Sequence, residues 1–368
     1  MSSPLNNGGP AMNTKVKQPR ELNVELLRIV LMIMIVCHHF LMRGRGLHLL
    51  YTSESTHIDH DALQGLFIDS FLIMTVNCFI FISGYYGIKF RVKTILSLFI
   101  QAVTYSIGID IVFGLINGES LSFDTILNGL LSVPNGQWWF ITTYFFLYLL
   151  SPFLNLAVKH LSKFQFLYIL GVLTLTNFIV GYILNPDSLG VLNGYSLFSF
   201  ICIYFYGQAF SLYIDFKKGK LFYFSAYVIC SLLIFGMFFT SMKYLSIGMA
   251  WRAFFYNNPL VLISAISFFF LFKNLKISYT WISFFSSSVL AIYLIHEHPR
   301  SADFLTDNLN RIATTYAFGS VYVTLFLIAV LLFLGGTLIE KVRTTVTEPL
   351  LNFLIVKFRL DRLDERMK

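Results

Sequence analysis

The sequence predicts an all-α fold, a polytopic bundle of about ten transmembrane helices with both termini in the cytoplasm. Of its 368 residues, 56% are hydrophobic and only 12% are charged, and the mean hydropathy is +0.70. A soluble domain carries about twice that share of charge. Apolar runs of the roughly 20 residues that a spanning helix needs recur to the end of the chain. The net charge of +8 is explained by loop topology, because no nucleic-acid-binding motif accompanies it, and we expect no nucleic-acid partner.

The distribution of basic residues agrees with this topology. The predicted spans, accurate to a few residues at each edge, are 22–42, 66–88, 94–116, 137–157, 165–184, 195–214, 221–241, 257–272, 279–297 and 316–339. With both termini inside, the inner segments and the C-terminal tail hold 20 of the 27 Lys and Arg residues, whereas six lie outside and Arg28 lies within the first span. The positive-inside rule therefore favours ten spans.

Three parts of the chain follow from these spans. Residues 1–20 are expected to form a cytoplasmic N-terminal segment, residues 21–340 the transmembrane domain and residues 341–368 a cytoplasmic tail. Within the tail, residues 349–363 alternate apolar and basic side chains, as a helix lying on the inner leaflet does. Membrane lipid is therefore an expected partner.

The first span, ELNVELLRIVLMIMIVCHHFL at residues 21–41, carries ionisable side chains. Such groups are costly in hydrocarbon and indicate a functional site. At 100° per residue, the step from Arg28 to His39 comes within about 20° of full turns, and Glu25 lies about 60° from Arg28. These three residues therefore share one face, which predicts a polar cavity, although a structural Glu–Arg pair with a buried histidine fits the same pattern. His38 points about 80° away from Arg28 and is expected to be structural.

The second span carries polar groups and ends at a basic cluster. Asn77 and the run Ser83-Gly84-Tyr85 lie within it. Small residues let helices approach closely and Asn can bond a neighbouring helix, so packing alone explains these residues as well as a ligand does. The cluster after the span consists of Lys89, Arg91 and Lys93. Positive-inside topology alone can produce such a cluster.

A third group of residues is predicted at the outer face. Trp138 and Trp139 open the fourth span, and His296, with Glu297 and His298 after it, ends the ninth span. Interfacial Trp is common in membrane proteins, and an aromatic floor also suits sugar stacking. If the spans pack as one bundle, Trp138, Trp139 and His296 gather near His39.

No metal site is predicted. The cysteines Cys37, Cys78, Cys202 and Cys230 all lie in apolar spans without ligand spacing and are interpreted as small core residues, although Cys37 beside His38 is also a candidate acyl carrier. The outer loop contains HIDHD at 57–61. His57 and His60 fit a solvated loop better than a metal, because the closed spacing of a structural site is missing.

Four motifs, in order, resemble those of acyltransferase family 3. An acidic residue, then Arg, ten residues and His are matched by Glu25, Arg28 and His39. The aromatic-rich run FIFISGYYG follows at 79–87, and WWFITTYFFLYLLSP follows at 138–152. A late Tyr-Leu-Ile-His is matched at 293–296. Members of this family are integral membrane proteins that O-acylate bacterial surface polysaccharides, and the resemblance covers about residues 20–340.

The resemblance implies an O-acetyltransferase of the bacterial cytoplasmic membrane, with cytoplasmic acetyl-CoA as donor. The acceptor is expected to be a cell-surface polysaccharide, such as a capsule or exopolysaccharide, or its lipid-linked precursor. His39 is expected to act as general base or to carry the acetyl group, with Arg28, oriented by Glu25, stabilising negative charge. The expected donor-binding residues are Lys89, Arg91, Lys93, Ser83 and Tyr85, and the expected acceptor-binding residues are Trp138, Trp139, His296 and Asn77.

This chain departs from the family at the basic cluster, where members often carry an Arg-rich patch. Lys binds a phosphate as a point charge rather than as a bidentate fork. A second function compatible with the same polar face is a transporter or flippase of a lipid-linked glycan, and a third is a membrane sensor or scaffold. The variant His39→Ala separates them: a transferase loses surface O-acetyl groups, a flippase loses the glycan, and a scaffold tolerates the change.

Overall fold

The computed structural model describes residues 21–51, 58–315 and 321–366, and it confirms the predicted all-α fold. The structure is 81% helical, and the described residues contain no strand. The α-helices are α1 Leu22–His39, α2 His60–Leu72, α3 Thr75–Tyr86, α4 Val92–Asn117, α5 Phe123–Leu130, α6 Trp139–His160, α7 Lys163–Thr174, α8 Gly181–Ile183, α9 Leu197–Leu212, α10 Lys220–Tyr244, α11 Ile247–Trp251, α12 Pro259–Lys273, α13 Ile282–Ser286, α14 Val289–His296, α15 Pro299–Thr315, α16 Val321–Phe358 and α17 Asp361–Arg366. The predicted N-terminal segment and His57 lie outside the described residues.

Eight helical segments within the described part of the chain are long and apolar enough to cross a membrane. They are Leu22–Gly44, His60–Tyr86, Val92–Asn117, Trp139–His160, Lys163–Ile183, Lys220–Tyr244, Ile247–Lys273 and Val321–Phe358. Two of the ten predicted spans differ from these segments: α9 has only 16 residues, and the predicted ninth span is divided between α13 and α14. The number of spans and the cytoplasmic position of the termini stay predictions.

The first span lies at the centre of the bundle. Helix α1 packs against α2, α3, α12, α13, α14 and α16. Its hydrophobic window is 61% buried, as is that of Ile247–Lys273, whereas that of His60–Tyr86 is 78% buried and those of the other five segments are 28–33% buried. Because a helix surrounded by protein can keep polar groups away from lipid, this position provides an interior for the ionisable residues of α1.

Two glycines let the second span approach α9 closely. A Cβ on Gly84 would lie 2.2 Å from the carbonyl oxygen of Tyr204, and a Cβ on Gly207 would lie 2.4 Å from the backbone nitrogen of Tyr85. Backbone contact at this distance needs residues without a side chain, as in other small-residue helix interfaces. The glycine of the Ser-Gly-Tyr motif therefore has a packing role.

Helix α16 extends beyond residue 340, the predicted end of the transmembrane domain. Helix α16 continues without interruption from Val321 to Phe358 and contains Pro349, so residues 349–358 belong to it rather than to a separate interfacial helix. A buried network holds its middle part: the guanidinium of Arg343 donates to both carboxylate oxygens of Glu340 at 2.7 Å. Gln101 and Tyr105 of α4 donate to the same carboxylate, so its buried charge is fully paired.

Candidate active site

A cavity of about 340 Å³ lies beside α1, and we refer to it as the central cavity. Its walls come from four helices and three further places. The four helices contribute Arg28, Met32, Ile35, His38 and His39 of α1, Thr75, Val76, Phe79, Ile82 and Ser83 of α3, Leu98 of α4, and Trp139, Phe140 and Tyr144 of α6. The remaining residues are Tyr256 before α12, Ser286 and Ser287 at the end of α13, and Val289, Leu290 and Tyr293 of α14. Arg28 and His39 thus line one cavity, about 16 Å apart along the helix axis. The site has the volume of a small-molecule pocket, with few polar groups in a largely apolar wall.

Arg28 is held by the acid one turn before it. Its Nη1 donates to Oε1 of Glu25 at 2.8 Å. The Glu25 side chain is only 7% exposed, whereas that of Arg28 is 37% exposed. The carboxylate therefore lies behind the guanidinium and orients it, and Arg28 is the member of the pair that borders the cavity.

A chain of hydrogen bonds determines which nitrogen of His39 carries its proton. Nδ1 of His296 lies 2.6 Å from the carbonyl oxygen of Ile292, and a carbonyl only accepts, so this Nδ1 is protonated. In the neutral ring, Nε2 of His296 is then an acceptor, and it lies 2.9 Å from Nδ1 of His39. Nδ1 of His39 is therefore the donor, which leaves Nε2 of His39 with a free lone pair.

Glu297 is the main functional candidate for which the sequence predicted no role. Its Oε1 lies 3.1 Å from Nδ1 of His39, and its Oε2 accepts from Nη2 of Arg43 at 3.0 Å. The carboxylate is 8% exposed, so it can stabilise a positive charge on His39 with little screening by water. In the sequence, only its position directly after the Tyr-Leu-Ile-His motif could have indicated a functional role for Glu297.

His38, expected to be structural, also borders the central cavity. Its Nδ1 lies 2.5 Å from Oδ1 of Asp69, a completely buried residue of α2. A carboxylate accepts, so Nδ1 of His38 donates, and in the neutral ring its Nε2 keeps a lone pair as well. The sequence pattern missed Asp69, because a single acid in an apolar span gives no indication of its partner.

The two tryptophans at the start of α6, Trp138 and Trp139, lie in different environments. Trp139 lines the central cavity and packs on Tyr195 and Tyr256, with ring centroids 4.6 Å and 5.8 Å away. Trp138 is 2% exposed and packs on His298 at 6.0 Å. The predicted gathering around His39 therefore includes Trp139 and His296, whereas Trp138 lies behind the wall.

Of the polar residues of the second span, one lies behind the wall of the central cavity and one lines it. Asn77 is 1% exposed and donates to the carbonyl of Tyr256 at 2.8 Å, which joins α3 to the segment before α12. Ser83 borders the central cavity, donates to the carbonyl of Phe79 at 3.1 Å and lies 3.3 Å from the hydroxyl of Tyr144. Of these two predicted ligand contacts, Ser83 is at the cavity and Asn77 is behind it.

A second, larger cavity of about 1030 Å³ lies at the opposite end of α3, and we refer to it as the basic cavity. Its lining includes Tyr85, Lys89, Arg91 and Lys159. The hydroxyl of Tyr148 accepts from the backbone N–H of Arg91 at 2.9 Å and donates to the carbonyl of Lys89 at 3.1 Å. The turn that carries these two cations is therefore anchored to α6.

Lys93 faces a different direction from the other two cations of its cluster. Its ammonium donates to Oδ1 of Asn352 at 2.8 Å and lies 3.1 Å from a carboxylate oxygen of Glu348, both in α16. Lys93 is absent from the lining of the basic cavity. Lys89 and Arg91 therefore line the basic cavity and Lys93 bonds α16 instead, and the prediction that the three cations bind the donor stays a prediction.

Among the described residues, one group of His, Cys, Asp and Glu is close enough to hold a metal ion. It consists of His39, His296 and Glu297, whose ligand atoms all lie within 4.8 Å of one another. Ligands around a tetrahedral zinc at 2.0–2.1 Å are about 3.3 Å apart, whereas the separations from His39 are 2.9 Å and 3.1 Å. These distances are those of hydrogen bonds, and the expected absence of a metal stays a prediction.

Fold and cavities together define a polytopic α-helical membrane protein with an interior site that combines a guanidinium and imidazoles. The chain matches the acyltransferase domain of acyltransferase family 3 over residues 21–340. It therefore belongs to this family and is a membrane acyltransferase, as the four motifs indicated. A search of curated proteins and a search of solved structures gave no match to the chain.

Proposed function

We propose that the protein is an O-acetyltransferase of the bacterial cytoplasmic membrane. It moves an acetyl group from cytoplasmic acetyl-CoA to a hydroxyl of an extracytoplasmic polysaccharide, such as a capsule, an exopolysaccharide or a lipid-linked precursor. The observation that carries this proposal is that Arg28 lines the same cavity as His39, whose hydrogen bonds leave Nε2 unprotonated. Transfer from a thioester to an alcohol needs a base for the hydroxyl proton, and a guanidinium in the same cavity can bind a polar or charged group of the donor.

The transfer step uses His39 first as base and then as acid. Its Nε2 takes the proton of the acceptor hydroxyl while the hydroxyl oxygen forms a bond to the carbonyl carbon of the thioester. The tetrahedral intermediate then breaks its C–S bond, and the sulfur leaves with the proton returned by Nε2. The products are the acetyl ester and free coenzyme A, and the imidazole is neutral again.

Glu297 stabilises the positive charge that forms on His39 during this step, and Arg28 binds the donor further along the cavity. When Nε2 is protonated, the positive imidazolium has the Glu297 carboxylate 3.1 Å from its Nδ1, which favours the charged ring. Arg28 lies about 16 Å from His39 along the helix axis and is bonded to Glu25 on the side away from His39. Its guanidinium is therefore assigned to a polar or charged group of the donor rather than to the thioester oxygen that reacts at His39. Glu25 keeps that guanidinium in place without entering the cavity.

The basic cavity is the best candidate for the nucleotide end of acetyl-CoA. Lys89, Arg91 and Lys159 supply positive charge along one wall, and phosphates bind such groups through charge-assisted hydrogen bonds. Tyr85 lines the same cavity and Ser83 lines the central cavity, so the second span connects the two. The pantetheine arm is thin enough to follow this span toward His39.

A complementation experiment tests the proposed function. A host strain deleted for the gene is complemented with the wild type, His39→Gln or His38→Gln, and its surface polysaccharide is analysed for both amount and ester-linked acetyl groups. We expect His39→Gln to reduce acetylation by about 10²- to 10⁴-fold, the contribution of a general base, with the amount of polysaccharide unchanged. His38→Gln is expected to have a smaller effect. Loss of the polysaccharide itself in His39→Gln overturns the proposal in favour of export.

A further inference from the structure

A third cavity, of about 370 Å³, lies next to the central cavity, and we refer to it as the outer cavity. It is built at the end of the bundle where α1 finishes. Its lining consists of His38, Met42, His48, Asp69, Ile73, Asn193, Tyr195, Trp251, Phe254 and Phe255. Most of these residues come from segments between helices, which are the parts of a fold that most often bind ligands.

His38 belongs to both cavities. It lines the central cavity and the outer cavity, and its ring centroid is 5.3 Å from that of His39. Beside it, Tyr195 of the outer cavity packs on Tyr256 of the central cavity with ring centroids 4.6 Å apart. The wall between the two cavities is therefore one side chain thick at His38 and two aromatic rings thick beside it.

The outer cavity contains buried acceptors without partners among the described residues. Asp69 is completely buried, and its Oδ2 has no hydrogen-bond partner in the described structure, whereas its Oδ1 bonds His38. Oδ1 of Asn193 is likewise buried and unpaired within the described residues. A buried acceptor without a donor costs free energy, so these two oxygens together indicate a ligand that brings hydroxyl donors.

The loop that carries Asn193 is held in place before any ligand arrives. Asn193 has a φ of 56°, a left-handed conformation that Asn tolerates better than most residues. Its carbonyl accepts from the backbone N–H of Tyr256 at 3.1 Å. A Cβ on the neighbouring Gly194 would lie 2.6 Å from the backbone nitrogen of Asn257, so only glycine permits this approach. Such preorganisation lowers the entropic cost of binding.

We propose that the outer cavity is the acceptor site, which binds one sugar residue of the polysaccharide. The sugar hydroxyls donate to Oδ2 of Asp69 and Oδ1 of Asn193, and the ring of Trp251 packs on the apolar face of the sugar, as aromatic side chains do in carbohydrate sites. Asp69 and Asn193 are positioning residues here, and the hydroxyl that is acetylated reaches Nε2 of His39 past the side chain of His38, which lines both cavities. This inference rests on the proposed function, because it takes the acceptor to be a polysaccharide.

Two conservative variants and two matched controls test the site with full-length protein in nanodiscs. Asn193→Gly keeps the left-handed backbone and removes the amide, and Trp251→Phe keeps an aromatic ring. Asn185→Gly is the control for the first, because Asn185 also has a positive φ of 48°. Trp281→Phe is the control for the second, because Trp281 lies outside the cavity lining and is 56% exposed.

The probe is polysaccharide from the envelope of the host, freed of ester groups with mild alkali, and its binding is measured without donor. We expect Asn193→Gly and Trp251→Phe to weaken binding by about tenfold each, and both controls to bind as the wild type does. Binding of acetyl-CoA is measured in parallel and should not change in any of the four variants.

The outcomes separate this inference from the proposed function. Equal polysaccharide binding by the two variants and the wild type overturns the acceptor site, and so does a wild type that binds acetyl-CoA but no polysaccharide. A wild type that binds the polysaccharide in the outer cavity but neither binds nor consumes acetyl-CoA retains the site and overturns the proposed acetyl transfer.

Discussion

Nδ1 of His39 lies 2.9 Å from Nε2 of His296, a residue 257 positions later in the chain. The bond joins α1 to α14. Because the Ile292 carbonyl requires a proton on Nδ1 of His296, Nε2 of His296 accepts in the neutral ring, and Nδ1 of His39 must carry the proton. A histidine whose tautomer is determined by its neighbours presents one defined nitrogen to a substrate. His296 is therefore placed where it can orient His39, and its contact with the acceptor stays a prediction.

The carboxylate beside this pair provides the first prediction. In Glu297→Gln, the negative charge near Nδ1 of His39 is lost and an amide that can donate to Nδ1 replaces it. Because the imidazolium is then less stable and the wrong tautomer is favoured, we expect kcat to fall roughly 100-fold, with the KM for acetyl-CoA unchanged. Steady-state release of coenzyme A by the purified protein measures both constants.

The conservative variant is the control for this prediction. Glu297→Asp keeps the charge at a slightly greater distance and should recover part of the lost kcat. A Glu297→Gln protein with a wild-type kcat would show that the carboxylate serves the Arg43 ion pair and has no effect on His39.

The basic cavity leads to a prediction about donor binding. Lys89→Gln and Arg91→Gln each remove one cation from its lining, and we expect each to raise the KM for acetyl-CoA by about tenfold with little change in kcat. Lys93→Gln is a matched control from the same cluster, because its ammonium is bound to Glu348 and Asn352. A KM increase in Lys93→Gln as large as in the other two variants would contradict this assignment.

The sequence alone identified α1 as the helix that carries the candidate site, but it did not identify all of the residues that contact the ionisable groups of α1. The face shared by Arg28 and His39 follows from helix periodicity, a local property of the chain. Asp69 and Glu297 meet the histidines of α1 only through tertiary packing, and a single sequence carries no record of such contacts. Lys93 shows the same limit, since its direction depends on the position of α16. The sequence also did not show that the last predicted span and residues 349–358 form one continuous helix, α16, because a segment rich in Lys and Arg resembles a helix end.

The contact between Gly84 and Tyr204 leads to a prediction about stability. A Cβ at Gly84 would lie 2.2 Å from the backbone carbonyl oxygen of Tyr204, which cannot move independently of α9. We expect Gly84→Ala to destabilise the protein by about 1–3 kcal/mol, the usual cost of overpacking. Thermal unfolding of the detergent-solubilised protein measures this change.

Gly108→Ala is the matched control, because it lies within helix α4 and an added Cβ would meet nothing within 4 Å. This control should keep or slightly raise the unfolding temperature, since Ala is a better helix former than Gly. Equal unfolding temperatures for the two variants would show that α3 and α9 can separate without loss of stability.

The group formed by His39, His296 and Glu297 leads to a prediction about metal ions. Zn²⁺ binds imidazole nitrogen and carboxylate oxygen, and to enter this group it must replace the proton on Nδ1 of His39 and spread ligand atoms that are now 2.9 Å and 3.1 Å apart. We therefore expect added Zn²⁺ to inhibit the release of coenzyme A and a chelator to restore it. Mg²⁺, which prefers oxygen ligands, should have no effect at the same concentration. If a chelator alone abolishes activity and zinc restores it, the three residues are metal ligands, and the hydrogen-bond chain through His39 is not the working state of the site.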